Sequence, residues 1–177
     1  MPPTKQILIE SAIAILNDSP KGMEGLTVDA LASHLHMSKS TLYKHFESLS
    51  DLVYETAEHA CIATEEDLAK TTSTKDTETA FKDTAVVYAA YSARVPSPFL
   101  TSRHKLPAKA RLRLENFEER MGSRMFQAAL NKGASSSVAY GVRSAFDGLL
   151  RFTAKVPPEE KRERFEDLTK TLLKGLT

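Results

Sequence analysis

A single cysteine, Cys61, stands in the 177 residues, so no internal disulfide framework is available, and the chain fits a reducing compartment. No run of 18 apolar residues exists. The opening stretch MPPTKQILIESAIAILNDSP meets a glutamate after four apolar positions, so neither a membrane span nor a signal peptide is expected and the expected location is the cytoplasm. Strict apolar–polar alternation is missing throughout, which removes the usual signature of half-buried strands. Arginine is absent from the first 50 residues, which hold four lysines against five acids. Also missing are a glycine-rich phosphate loop, a nucleophile elbow and any histidine pair backed by carboxylates at metal-ligand spacing. His34 and His36 stand two apart, where helical side chains do not face one another. Neither an enzyme nor a metal or cofactor site is expected.

Hydrophobic residues make up 41% and charged residues 27% of the chain, an ordinary balance for a packed globular protein. The net charge of +1 does not by itself point to nucleic acid. Its distribution is uneven. Residues 51–83 carry nine acids against three lysines, and residues 103–124 carry seven basic residues against three acids.

Apolar spacing is helical nearly everywhere. Ile7, Ile9, Ala12, Ile13 and Leu16 form one stripe, closed by DSPKGMEG. Thr27 is placed to cap a helix bearing Leu31, Ala32 and Leu35, and Ser38 a shorter one bearing Leu42, Tyr43 and Phe46. Ser48, with Asp51 three residues on, caps a third that reaches about Leu68. The tract KTTSTKDTETA is expected as a loop, followed by a helix over 78–94. VPSPF breaks the chain. Further helices are expected over 107–131, 136–155 and 158–174, the last with Pro158 in its first turn. The fold class is all-α with about nine helices: an N-terminal domain of three helices, residues 1–48, in which two short helices flank a tight turn, and a larger helical domain, residues 49–177.

Two short helices across a tight turn are the geometry that sets one helix in a DNA major groove. An ordinary solvated hairpin has the same outline. The detailed pattern is more specific: Gly22 after the first helix, then Thr27, the helix start Val28-Asp29-Ala30-Leu31-Ala32, and the run Met37-Ser38-Lys39-Ser40-Thr41-Leu42-Tyr43-Lys44-His45-Phe46, with Ser48 and Leu52 following. Residues 5–57 thereby resemble the DNA-binding domain of the TetR family of bacterial transcriptional repressors. Leu49 departs from the pattern, because the family usually has a phosphate-holding lysine there. No basic N-terminal arm precedes the first helix beyond Lys5.

The resemblance implies roles residue by residue. Thr27, Tyr43 and Lys44 would contact phosphates, with backbone amides at Ser38 adding another such contact. Lys39, Ser40, Thr41 and His45 would face base edges, Lys39 being suited to guanine acceptors. The alternative for Tyr43 is a half-core position, and for His45 an edge position without a base contact. The implied partners are double-stranded operator DNA, a second copy of the chain and a small hydrophobic effector, with no membrane. In such proteins the last two long helices form the dimer. Here Gly141, Ala145, Gly148 and Phe152, with Phe165, Leu168 and Leu172, are the expected interface, although periodicity does not separate interface from core. Tyr88, Tyr91, Phe99, Phe117, Met121, Met125, Phe126 and Tyr140 are the candidate pocket lining, with the same ambiguity. The expected function is a ligand-released repressor; a dimerising regulator or adaptor without an effector is the alternative.

Overall fold

The computed structural model describes residues 4–71 and 76–176. Among them are nine α-helices, two 3-10 turns and no strand: α1 (Lys5–Asp18), α2 (Val28–His34), α3 (Lys39–Leu42), α4 (Leu49–Thr71), α5 (Thr77–Arg94), α6 (Ser97–Thr101), α7 (Ala108–Asn131), α8 (Ser136–Phe152) and α9 (Pro158–Gly175). Of the loop expected over residues 70–80, residues 72–75 lie outside the described set. The chain break expected at VPSPF occurs after Arg94, but a short helix, α6, follows at once with Pro98 in its first turn. A proline there costs no hydrogen bond, because the first amides of a helix lack intrahelical acceptors.

Packing divides the chain into two compact units. The first holds the residues up to Ala60 and also Val95–Leu114, so α6 and the start of α7 pack with the helix-turn-helix segment rather than with the later helices. Its core is Leu8, Ala12 and Leu16 of α1, Leu31 of α2, Leu42 of α3, Leu52 and Ala57 of α4, and Phe99 of α6. Polar ties bind the returning segment. The Ser97 amide donates to Asn17 Oδ1 at 3.0 Å, and Lys105 Nζ meets Glu24 Oε1 at 2.6 Å. The Lys109 ammonium lies 3.9 Å from the Tyr54 ring centroid, and Arg113 pairs with Glu58.

Gly25 ends the turn after α1 against Ser19. A β-carbon there would lie 1.9 Å from Ser19 Oγ and 2.5 Å from Ser19 Cβ, distances no rotamer change relieves. Gly25→Ala should therefore destabilise the protein by about 1–3 kcal/mol in urea melts, the usual cost of forcing an extra carbon into a packed site. Ser19→Gly in the same chain should return most of that loss.

The second unit comprises Cys61–Arg94 and the residues from Glu115 onward. Here α5, α8 and α9 pack on one another. An aromatic cluster fills the centre: the Phe146 ring stands 6.1 Å from Phe81, 5.2 Å from Tyr88 and 6.0 Å from Phe165. Cys61 is buried.

Candidate nucleic-acid interface and ligand-binding unit

The helix-turn-helix is held by its caps. Thr27 Oγ1 accepts the Ala30 amide at 3.0 Å and opens α2, and Ser38 Oγ accepts the Thr41 amide at 3.3 Å and opens α3. Between them His36 takes a positive φ of 52°, and the Met37 amide reaches back to the Ala32 carbonyl at 3.0 Å. That is the left-handed stop with which helices commonly end, made here without the usual glycine. Ser48 then accepts the Asp51 amide at 3.2 Å and donates to its carboxylate at 2.7 Å, which starts α4. The helical part of the reading segment is shorter than its spacing suggests. α3 stops at Leu42, and residues 43–45 continue as turn.

Leu42 and Phe46 anchor this segment in the core, which leaves Ser38, Lys39, Ser40, Tyr43 and Lys44 exposed and Thr41 and His45 half-buried. Tyr43 is 54% exposed, yet it shares a small apolar niche with Val28, Leu31 and Leu49. Leu49 lies in the same niche, so the residue that replaces the usual lysine is spent on packing. The hydroxyls of Ser40 and Thr41 stand 2.8 and 2.9 Å from Ser38 Oγ, forming a small network of their own.

Sequence reasoning missed Asp29. Its carboxylate on the first turn of α2 holds Lys39 Nζ at 2.5 Å, and this bond, with the carboxylate's charge, raises the lysine pKa above its ordinary value. Both side chains are more than half exposed. An exposed pair of this kind contributes little stability. It does commit the ammonium expected to face a base edge. The spacing of ten residues across a turn is no helical repeat, so no periodic signal announces it. Asp29→Asn should tighten DNA binding about three- to fivefold near physiological salt and steepen the salt dependence by roughly one released ion. Fluorescence anisotropy against salt measures both. The gain should largely vanish in a Lys39→Met background; a gain of equal size there would mean that Asp29 acts only by repelling phosphate.

The profile of bacterial regulatory proteins of the tetR family matches residues 8–56, the span from α1 through the start of α4. Residues 8–56 form a DNA-binding domain of the TetR-family type. Among the described residues no cluster of His, Cys, Asp or Glu is arranged to hold a metal. No helix there is long and apolar enough to cross a membrane. A comparison with curated protein sequences yields no match. Solved structures share the fold over nearly the whole chain. The TetR-family regulator PfmR from Thermus thermophilus superposes with a TM-score of 0.76 at 20% identity, covering 96% of this chain and 98% of its own. AibR, solved with isovaleryl coenzyme A and operator DNA, gives 0.73 at 15% identity, covering 96% and 97%. A regulator from Saccharomonospora viridis in complex with choline gives 0.68 at 14% identity, covering 94% and 95%.

In this chain the expected pocket residues do not form one group. Tyr91 and Phe117 meet at 4.9 Å between ring centroids, with Met121 and Met125 also buried in the second unit. The Tyr91 hydroxyl donates to Glu118 Oε1 at 3.0 Å. Tyr88 belongs to the Phe146 cluster and donates to Asp147 Oδ1 at 3.0 Å, and burial pushes its phenol pKa far up. Phe126 and Tyr140 pair at 4.6 Å, but Tyr140 is 59% exposed. Phe99 is buried in the first unit instead.

The expected interface residues separate as well. On α8 the buried seam is Ala139, Val142, Phe146 and Leu150. A second seam, Val138, Gly141, Ala145, Gly148 and Phe152, repeats at alternating spacings of three and four on a different face, and only Ala145 in it is even half-buried. Phe152 is 73% exposed, and a β-carbon on Gly141 or Gly148 would meet nothing within 4 Å. Leu168 and Leu172 of α9 are half-buried. Phe165 differs: it is 1% exposed within its own unit, because its ring completes the aromatic cluster.

Proposed function

We propose that this regulator represses transcription by binding a palindromic operator as a homodimer and is released by a small hydrophobic or aromatic effector. The observation that carries the proposal is the second apolar seam of α8, left uncovered in a chain whose other end presents a reading helix. A soluble helix seldom exposes a three-four apolar repeat, which is the pattern of helices that pack at a shallow angle in bundles. Its glycines allow close approach of a second copy. A two-fold dimer offers two reading helices, which suits a site of two half-sites about one DNA turn apart.

Thr27, Tyr43 and Lys44 take phosphate contacts in this reading, and Lys39, Ser40, Thr41 and His45 meet base edges. Lys39 must exchange Asp29 for its base. The effector part is supported by two neighbours of the same fold, one solved with isovaleryl coenzyme A and one with choline. Helix α4 begins at the Ser48 cap beside the reading segment and continues into the second unit, so it is the element on which an effector would act. Release requires unequal affinity of the effector for the DNA-bound and free arrangements.

Selection of bound sequences from random DNA tests the first part: an inverted repeat is expected, and an asymmetric consensus would overturn it. Titration of that operator complex with hydrophobic and aromatic compounds tests the second. If no compound shifts the DNA affinity, the second unit is a dimerisation platform alone.

A further inference from the structure

In the second unit a trough of about 490 Å3 runs between α5 and α9, a volume within the range of small-molecule sites. Apart from Phe165, none of the residues expected to bind a ligand or form the interface lines it. The small residues of α5 open the trough. Ala85 and Ala89 form its floor with Phe165 and Thr169, and Val86 and Ala90 stand at its lip. The two helices run antiparallel: Lys161, near the start of α9, sends its buried ammonium to the Ser92 carbonyl near the end of α5, at 2.7 Å.

The two ends of the trough therefore differ in charge. Lys82 and Lys170 stand at one end, and Ala93 and Arg162 at the other. Arg162 is neutralised by Glu166 at 2.9 Å, and that carboxylate is itself part of the lining. Lys82 pairs with Glu78 at 2.7 Å and Lys170 with Asp167 at 3.3 Å, but neither acid lines the trough. Such exposed one-turn pairs yield readily to a competing anion. The trough is thus apolar along its length, cationic at one end and neutral at the other. From Lys82 to Ala93 it follows about 16 Å of helix.

We propose that this trough binds a free fatty carboxylate, its chain laid along Ala85, Ala89 and Phe165 and its head group between Lys82 and Lys170. That the fatty acid is the effector rests on the regulatory reading above; its binding in the trough does not.

Calorimetric titration of the full chain with laurate, dodecanol and dodecylamine tests the fit. Laurate should bind about three- to tenfold more tightly than the alcohol, and the amine most weakly. The double variant Lys82→Glu/Lys170→Glu should abolish the preference for laurate over dodecanol. Ala89→Phe fills the floor, and Ala90→Trp covers the lip without entering the core. Each should weaken laurate about tenfold, with thermal melts confirming the fold. Laurate binding that persists in both filled variants, or amine binding as tight as carboxylate, would overturn the proposal. The operator complex separates the two readings. If laurate binds the trough and operator affinity never responds to it, the site stands and laurate is not the effector. If laurate releases operator DNA equally well from the filled variants, regulation stands and the trough is not its site.

Discussion

Gly148→Arg combined with Phe152→Glu should turn the proposed dimer into a monomer that still folds. Gly148 faces open space in the subunit, and arginine is a better helix former than glycine by nearly 1 kcal/mol, so the isolated subunit should not lose stability. Phe152 is exposed, with the Arg164 guanidinium 5.5 Å from its ring centroid, where a glutamate finds a partner as good. In a two-fold dimer each substitution acts twice, placing charge in a seam suited to close apolar contact. Light scattering should fall from twice the chain mass of 19.6 kDa to that mass itself. Operator affinity should fall by a factor on the order of a thousand, because the second half-site is no longer bound at high effective concentration. Unchanged mass, or full-strength operator binding by a demonstrated monomer, would overturn the assignment of this seam.

Phe146→Ala should be the most destabilising single change in the second unit. The ring is fully buried and packs with three other aromatic rings, Phe81 and Tyr88 of α5 and Phe165 of α9. Deleting it removes the apolar transfer energy and leaves a cavity, together costing about 3–5 kcal/mol, and it also takes away the edge-to-face and tilted packing of the rings. That is a large share of the roughly 5–15 kcal/mol by which domains are stable. Urea unfolding followed by circular dichroism measures it. Phe146→Leu, which keeps most of the volume, should recover the greater part. A loss below about 1 kcal/mol for the alanine variant would mean that the cluster collapses to fill the space.

Helix identity and the layout of the helix-turn-helix segment were legible in the chain because both rest on short-range physics. Thr27, Ser38 and Ser48 cap through bonds to an amide three residues on, and Leu31, Leu42 and Phe46 recur at helical spacing, so the helix pair and its exposed polar residues follow from the order of residues alone. The same is true of the two faces of α8, since a stripe at alternating spacings of three and four is a property of one helix. Which stripe is covered is a property of its neighbours. Packing put Phe165 beside Tyr88 and Phe146 rather than at the surface, brought Val95–Leu114 into the first unit and Phe99 with it, and set Asp29 against Lys39 across a turn. It also decided that the alanines of α5 face α9 across an open trough rather than a filled one. Sequence thus determined the elements, their caps and the amphipathic choices open to each. The tertiary structure chose among those choices, because contacts between residues far apart in the chain depend on how helices lie against one another, and no local repeat encodes that.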